Sequence, residues 1–414
     1  MVKIPDLNIL KSKRSPDFIP AERDHKIEDP RFINSPLSRI NRDFYYAVAA
    51  LAGTMVGVGV FGIPFSFAKS GFLVGSGFLI AIGLVTVLLD LMYGEVILRT
   101  QRIHQITGYT EIYLGSAFKK LIFFSLALVF YSALLIYTIL AGEFLNNVFS
   151  SVVYISSGAY SLIFFFLMSF LVLAGIKRLS WLELILAALF SLVIVAMLVV
   201  GWPKIDFANF SGIQPEFWFL PYGILLFAFA GFSAVPIQRE LLGDKEHLLR
   251  KAIIFAVACV GILYFVFAFT VVGISGDVTT PEAISGLYEF LGGKIVFLGS
   301  LFGILAVSTG YLMLGSAFME TFTLDYGISK KMAWLLTVVP PFILFLGGLR
   351  TFIDIMSLAG SVAIGLEGII LILVYVKAKS KGDRVPEYSL ELPRFIYYFL
   401  MLVFLAGIAY SLFI

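Results

Sequence analysis

Residues 53 to 64 read Gly-Thr-Met-Val-Gly-Val-Gly-Val-Phe-Gly-Ile-Pro, which places four glycines and a proline inside a stretch apolar enough to cross a bilayer. Glycine weakens a helix and proline removes a backbone donor, so the pattern predicts a spanning helix that is interrupted near its centre. In lipid, the backbone groups freed by an interruption must face protein, a water-filled cavity or a ligand. The segment is therefore a candidate binding site.

The interruption is repeated later in the chain. Residues 59 to 64 follow the order glycine, two residues, a small residue, isoleucine or valine, and proline, and residues 231 to 236 follow it again as Gly-Phe-Ser-Ala-Val-Pro. Paired interruptions at corresponding positions of two halves are typical of secondary transporters, whose substrate site lies between the halves.

The composition places the chain in a membrane. Hydrophobic residues make up 60% of the 414 residues and charged residues only 14%, whereas about a quarter of a soluble domain is charged. A net charge of +3 is too small to indicate a nucleic-acid partner, and the single cysteine, Cys259, excludes an intrachain disulfide. The sequence predicts a protein embedded in the lipid bilayer, with no nucleic acid and no obligatory protein partner.

Eleven apolar segments have the length needed to span a bilayer. They are residues 44–69, 72–98, 121–149, 153–174, 181–201, 219–239, 251–275, 295–320, 332–348, 351–376 and 395–414. Lysine and arginine concentrate in the loops that follow the even-numbered segments. Because cations in short loops stay cytoplasmic, we expect a cytoplasmic N-terminal tail over residues 1–43, a transmembrane domain over 44–414, and an extracellular C-terminus.

The two interrupted segments run in opposite directions, as an inverted repeat of residues 44–201 and 219–376 requires, with the eleventh segment additional. This arrangement resembles the LeuT-type fold of the amino acid, polyamine and organocation superfamily. The first segment (GTMVGVGVFGIPFSFAKSGF) and the second (LMYGEVILRT) are similar to the amino acid/auxin permease family and its prokaryotic aromatic amino acid permease relatives. The resemblance implies an all-α integral membrane protein with broken helices 1 and 6, which carries a neutral amino acid, aromatic or large and apolar, across the plasma membrane.

Helix electrostatics indicate what two broken helices bind. Where a helix stops near the midplane, the last carbonyls of its first half are partly negative and the first amides of its second half are partly positive. A zwitterionic amino acid matches both. We expect its carboxylate on the amides around residues 58–61 and its ammonium on the carbonyls of Thr54, Met55 and residues 228–231. Gly57 and Gly59 let a ligand oxygen approach the backbone, with close helix packing as the alternative reason for them.

Side chains beside the breaks are expected to set selectivity. The resemblance implies that Phe232 is an aromatic gate over the substrate, and that Tyr131 and Ser132 of the third segment lie where that helix closes the pocket. Packing is the alternative role for any aromatic residue in this chain, since aromatic residues make up 16% of it. The predicted substrate-binding residues are Thr54, Gly57, Val58, Gly59, Tyr131, Phe229, Gly231, Phe232 and Ser233.

The sequence is compatible with two coupling ions, sodium and the proton, and predicts no other cofactor. For sodium, the resemblance implies a site that combines the hydroxyls of Ser308 and Thr309 with the carbonyls of Gly53 and Val56. Each hydroxyl has an alternative partner in a carbonyl of its own helix. This chain also has Gly53 where some sodium-coupled relatives have an asparagine.

A proton requires a titratable group within the membrane. All three histidines lie in loops or in the tail, and the fifth segment has no lysine. The carboxylates that remain within spans are Asp90, Glu95, Glu143, Glu183, Glu320 and Glu367. Asp90 and Glu95 are the candidates among them, although Arg99 offers Glu95 a structural ion pair. Sodium is preferred over the proton on these grounds.

An enzyme is the rival class of function. Membrane enzymes place clusters of histidine, cysteine or carboxylate at one face, and the carboxylates of this chain have neither metal spacing nor an adjacent nucleophile. An amino acid sensor or a channel on the same fold would keep the broken helices, so these alternatives stay open beside an ion-coupled symporter.

Overall fold

The computed structural model of the protein describes residues 36–175 and 180–413, and every regular element within these ranges is helical. Most of the expected N-terminal tail, residues 1–35, lies outside the described residues. So do Lys177 and Arg178 of the fourth loop.

Sixteen α-helices occur in the described ranges. They are α1 (Pro36–Met55), α2 (Gly62–Ser70), α3 (Phe72–Arg99), α4 (Ile106–Leu114), α5 (Ser116–Phe149), α6 (Ser157–Ala174), α7 (Ser180–Gly201), α8 (Leu220–Ala228), α9 (Val235–Leu242), α10 (Leu249–Ser275), α11 (Tyr288–Leu291), α12 (Gly293–Glu320), α13 (Lys330–Leu346), α14 (Phe352–Leu358), α15 (Gly365–Lys381) and α16 (Arg394–Phe413). Short 3₁₀ turns include Val58–Phe61 and Phe232–Ala234, and π turns occur at Thr321–Asp325 and Ala359–Ile364.

The spanning helices agree with the sequence. Within the described ranges, seven helical stretches and one bent pair are long and apolar enough to cross a membrane, and one of these stretches, Leu220–Val278, contains the sixth and seventh predicted spans. The fifth and ninth predicted spans correspond to α7 and to the 17-residue α13. A helix or a broken helix therefore lies on each predicted segment, whereas the nine-residue α4 is too short for the span pattern to predict.

The helices form two packed groups. In one group, α1 packs on α9 and α10, and α3 packs on α8 and α10. In the other, α5 packs on α6 and α12, and α13 packs on all three. The first group contains both broken helices. Both breaks therefore lie in the group that faces α5, α6, α12 and α13.

Three of the loops expected to be cytoplasmic, those after the second, sixth and tenth spans, meet at one end of the molecule, which we call the basic end. Residues 382–393, which we call the strap, join α15 to α16 and cross the end of α3 there. The amides of Asp383 and Arg384 donate to the Arg99 carbonyl at 3.0 and 3.1 Å, and the Tyr388 hydroxyl donates to the Leu91 carbonyl at 2.7 Å. At the opposite end, the amide of Asp206 donates to the carbonyl of Gly273 at 2.8 Å.

Candidate functional site

The first spanning helix breaks where the glycines begin. α1 ends at Met55, and the chain bends by 56° before helix resumes at Val58. Between Met55 and Val58, the amide of Val56 still donates to the Ala52 carbonyl at 2.8 Å, and the amide of Gly57 donates to the Met55 carbonyl at 2.7 Å. The break therefore occupies only two residues.

The second break follows the same design in α8 and α9. The amide of Phe229 donates to Leu225 at 2.9 Å, and that of Ala230 donates to Phe227 at 3.2 Å. Residues 229 to 231 lie outside regular helix, and helix resumes at Phe232. The pattern shared by the two segments thus predicted two breaks of the same kind.

The two breaks are in direct contact through their glycines. A Cβ atom on Gly59 would lie 2.6 Å from the Cα of Ala228, and one on Gly231 would lie 2.6 Å from the Cγ of Met55. A Cβ atom on Gly57 meets no atom closer than the Thr54 carbonyl oxygen, 3.9 Å away. Gly59 and Gly231 therefore allow helix packing, and Gly57 is the glycine with open space beside it.

A tyrosine that sequence analysis missed joins the breaks. The Tyr264 hydroxyl, on α10, lies 2.6 Å from the Met55 carbonyl oxygen and 2.8 Å from the Ala228 carbonyl oxygen, and the side chain is fully buried. These are the last helical carbonyls of α1 and α8. The only sequence signal for this contact is a hydroxyl within an apolar span, which requires some acceptor but does not identify it.

A cavity of about 590 Å³ begins at the breaks and extends to the basic end. Near the breaks it is lined by Gly53, Thr54, Val56, Gly57, Phe232 and Ser233, and towards the basic end by Gln105, Thr107, Phe123, Glu320 and Thr321. Thr54 and Ser233 are exposed, although they lie in the middle of spanning segments. The breaks are therefore accessible from the basic end.

Aromatic rings close the cavity on its other side. Phe61 contacts Phe144, Phe190 and Phe267, with ring centroids 5.0, 5.6 and 6.5 Å apart. Phe190 stacks on Phe302 at 5.1 Å. Phe61, Phe190 and Phe302 line the cavity, so this cluster separates the cavity from the end opposite the basic end.

The structure brings some predicted residues to the cavity and not others. Thr54, Gly57, Phe232 and Ser233 line it, whereas Val58, Gly59 and Gly231 are buried against protein. The Phe229 ring also points away from the cavity: it is 2% exposed, packs edge-on against Tyr264 at 5.1 Å, and lies near Gly83 and Gly261.

The third span reaches the cavity through residues other than those predicted. The Tyr131 hydroxyl donates to the Leu336 carbonyl of α13 at 2.8 Å, and Ser132 is buried. Phe130 and Tyr137 of the same helix line the cavity instead, beside Met313 and Phe318 of α12. Helical position decides this difference, because adjacent residues of a helix point about 100° apart.

The hydroxyls proposed for sodium bond to their own helix. Ser308 donates to the Ile304 carbonyl at 2.6 Å, and Thr309 lies 3.0 Å from the Leu305 carbonyl oxygen and 3.1 Å from that of Ala306. Thr309, Gly53 and Val56 nevertheless all line the cavity.

The two candidate carboxylates differ in their partners. Glu95 is fully buried and accepts hydrogen bonds from Arg99 at 2.8 Å, the Ser389 hydroxyl at 3.0 Å and the Leu390 amide at 2.6 Å, so it fastens the strap to α3. Asp90, 2% exposed, has one carboxyl oxygen, Oδ2, without a hydrogen-bond partner among the described residues. The side chain of Glu183, another carboxylate within a span, lies outside the described residues.

Comparison with known proteins gives one family and a fold. A sequence model of the tryptophan/tyrosine permease family matches residues 41–412, and no curated protein matches the chain significantly. The crystal structure of MhsT in complex with L-phenylalanine is similar, with a TM-score of 0.57 and 17% identity over 90% of this chain and 98% of that one.

A second similar structure is the manganese transporter of Eremococcus coleocola, in complex with an aromatic bis-isothiourea substituted compound. It has a TM-score of 0.61 and 14% identity over 92% of this chain and 89% of that one. The two similarities show the LeuT-type fold that the paired breaks predicted.

Proposed function

Because the chain belongs to the tryptophan/tyrosine permease family, we propose that it is a secondary active transporter that takes up an aromatic amino acid by alternating access. The observation that carries this proposal is the cavity at the two breaks, which is open to one end of the molecule and closed by aromatic rings towards the other. Its volume of about 590 Å³ is within the usual range of small-molecule sites.

The polar groups of the first break suit the backbone of an amino acid. α1 ends with its carbonyls at the cavity, and helix restarts at Val58, so negative and positive helix ends lie side by side. The open space at Gly57 gives a carboxylate or ammonium room to reach the main chain. This placement supports a zwitterion at the first break.

The apolar part of the cavity suits an aromatic side chain. Phe232 contributes one wall, and its ring is held edge-on against Tyr93 at 6.0 Å. Phe130, Phe318 and Met313 form the facing wall. Aromatic pairs prefer such edge-to-face and offset contacts, which this cavity offers to an indole or phenol.

The access direction supports a cycle between two states. With the basic end in the cytoplasm, as the lysine and arginine distribution favours, the structure is inward-facing, the N-terminus is cytoplasmic and the C-terminus is extracellular. Rocking of the group that contains α1, α3, α9 and α10 against the α5, α6 and α12 group then separates the Phe61 cluster and closes the path beside Gln105. Each repeat, residues 44–201 and residues 219–376, contributes helices to both of these groups.

The coupling ion is either sodium or a proton. Sodium is proposed to bind between the carbonyls of Gly53 and Val56 and the hydroxyls of Ser308 and Thr309, after these hydroxyls turn from their own helix. For the proton, the supporting observation is Asp90, a buried carboxyl with an unpartnered oxygen, because an isolated charge at this depth is costly and the neutral acid is favoured.

The test is uptake of labelled tryptophan, tyrosine and phenylalanine into proteoliposomes, with sodium and pH gradients imposed separately. Accumulation above the external concentration, driven by one of the two gradients, is expected. Equilibration without accumulation would identify a passive channel, and tight binding without uptake would identify a sensor on the same fold. Either result overturns the proposal.

A further inference from the structure

Tyr264 occupies an unusual position. Its hydroxyl lies between two carbonyls that belong to different broken helices, 2.6 Å from that of Met55 and 2.8 Å from that of Ala228. Each carbonyl ends its helix, so each carries part of the negative end of a helix dipole. One phenolic hydrogen therefore lies where two negative helix ends converge.

A convergence of this kind is ordinarily suited to a cation. In transporters with interrupted helices, unwound carbonyls and the C-terminal ends of half-helices coordinate Na⁺. The two distances to the Tyr264 hydroxyl are those of ordinary O–H···O hydrogen bonds, and they are slightly longer than the roughly 2.3–2.6 Å at which Ca²⁺, a hard cation close to Na⁺ in size, lies from its oxygen ligands. The phenol therefore stands at a point where the backbone alone would attract a small cation.

Burial removes this contact from water. Tyr264 has 0% of its side chain exposed, and its ring is fixed against Phe229, which is itself 2% exposed. An unpartnered buried carbonyl loses its hydration without compensation, at a cost comparable to that of a lost hydrogen bond. Without the phenol, the Met55 carbonyl would keep its hydrogen bond from the Gly57 amide, whereas the Ala228 carbonyl would require another positive or hydrogen-donating group.

We propose that the Tyr264 hydroxyl takes the place of a metal ion between the two breaks, and that it is the positioning residue that holds them together for substrate. The inference rests on the proposed function, since it assigns to the transport site a fixed internal donor. The hydroxyl does not line the cavity, so it acts on substrate through the carbonyls that it holds rather than by contact.

The two carbonyls that Tyr264 contacts are also expected acceptors for the ammonium group of the substrate. A carbonyl oxygen has two lone pairs. The Met55 oxygen already accepts from the Gly57 amide at 2.7 Å and from Tyr264, whereas the Ala228 oxygen can accept from Tyr264 and still face a second donor. A bound cation at the same point would repel that ammonium, whereas a neutral phenol does not. The site is thus suited to a zwitterion without a cation between the breaks.

The test compares Tyr264→Phe with Tyr311→Phe. Tyr311, on α12, is also 0% exposed, and its hydroxyl pairs with that of Ser169 on α6 at 3.0 Å, so its loss removes one buried hydroxyl contact that involves neither break. Both variants and the wild type are purified in choline chloride. Melting temperature and affinity for labelled tryptophan, tyrosine and phenylalanine are then measured in choline, sodium, lithium and potassium chloride.

We expect Tyr264→Phe to lose affinity about tenfold in choline, the size of a lost buried hydrogen bond, and to recover part of it in sodium or lithium. Its melting temperature should rise in the same salts by more than that of the wild type, because the cation fills the place of the hydroxyl. Tyr311→Phe should differ from the wild type by the same amount in all four salts.

A Tyr264→Phe protein that keeps wild-type affinity, or that loses it equally in all four salts, overturns the proposal. If this variant is not recovered folded in choline, extraction is repeated in sodium. Recovery in sodium alone supports the proposal, and failure in both salts overturns it. The salt-dependent melting temperature decides the inference even if the wild type binds none of the amino acids, a result that would overturn only the proposed function.

Discussion

The two breaks share a sequence pattern but face different surroundings. At the first break, Gly53, Thr54 and Gly57 line the cavity. At the second, Phe229 and Gly231 are buried against protein, and the cavity is lined by Phe232 and Ser233 just beyond them. One interruption is therefore open to a ligand, and the other is mainly a contact between helices.

This difference teaches that an interruption has two separable uses. A break frees carbonyls and amides for a ligand, and it also lets two backbones approach more closely than intact helices with side chains permit. Gly57 serves the first use and Gly59, two residues later, serves the second, because its Cβ would overlap Ala228.

The largest effect is expected at the helix contact. Gly59→Leu places a side chain where a Cβ alone would lie 2.6 Å from the Ala228 Cα, and backbone on both sides limits relaxation. We expect loss of folded protein and so of all uptake, measured by size-exclusion chromatography in detergent. Normal folding with loss of uptake alone would mean that Gly59 faces the ligand after all.

At Gly57, the same substitution should separate folding from function. A leucine there extends into the cavity, where the nearest atom to its Cβ is 3.9 Å away, so the melting temperature should stay close to that of the wild type. Aromatic amino acid uptake should fall roughly a hundredfold, since the side chain takes the space of a ligand, a loss of about 2.7 kcal/mol. Unchanged uptake would place the substrate elsewhere.

The two phenylalanines of the second break should also differ. Phe232→Ala removes a cavity wall and should shift the preference between large and small amino acids by about 1–3 kcal/mol, measured by competition against labelled substrate. Phe229→Ala should leave the preference unchanged and lower the melting temperature, because it opens a void between α3, α8 and α10. The reverse result for the pair would refute the assignment of Phe232 to the pocket.

A smaller effect is expected for coupling. If sodium binds beside the first break, Thr309→Ala should raise the sodium concentration for half-maximal uptake about tenfold. The Asp90→Asn variant should then remain active. If a proton is coupled, uptake should be indifferent to choline in place of sodium, and Asp90→Asn should abolish pH-driven accumulation. In the sodium case, substrate and sodium must tighten each other's binding by the same factor.

The smallest effect concerns the anchor of the second broken helix at the basic end. The Arg239 Nε donates to Glu246 at 2.6 Å, and Arg384 of the strap also donates to it. Burial raises the pKa of Glu246, but these hydrogen bonds outweigh burial and leave the pKa below its usual value. Because the pKa of Glu246 is lower in the folded protein, its ionised carboxylate stabilises the folded state when the pH is above the unfolded-state pKa of about 4.3. This stabilisation is lost as the pH falls through the folded-state pKa.

The melting temperature measures this anchor. The melting temperature of the wild type should exceed that of Glu246→Gln by a few degrees or less between pH 8 and about 5, and this difference should shrink below about pH 4. Substrate affinity at pH 7 should be the same in both proteins, since Glu246 is not among the residues that line the cavity. A difference in melting temperature that grows as the pH falls would contradict a lowered pKa for Glu246.

Much of the fold was predictable because lipid imposes strict rules on a sequence. Apolar segments of spanning length, and the loss of helix at Gly57 and Gly231, follow from backbone hydrogen bonding alone. The 17-residue α13 was predictable for the same reason. The nine-residue α4, which follows Gln105 and brings Thr107 to the cavity, was not, because so short a helix leaves no such pattern.

Less of the site was predictable. Thr54, Gly57, Phe232 and Ser233 follow from their position at the breaks, and the structure places all four at the cavity. Tyr131 was predicted from its depth in the third span, as the resemblance implies, and Phe229 from its position beside the second break. The Tyr131 hydroxyl is instead turned to α13, and the Phe229 ring to the contact of α3 with α10. A rotation of one residue along a helix decides whether a ring faces a ligand or a neighbouring helix.

The sequence by itself determined that this chain spans a membrane and that two of its helices break, since glycine and proline act on the chain locally. Only the tertiary structure decided which break is open to a ligand and that a phenol from α10 joins the ends of α1 and α8. That contact brings together residues 209 positions apart, a separation at which the identity of a partner is set by packing rather than by neighbours in the chain.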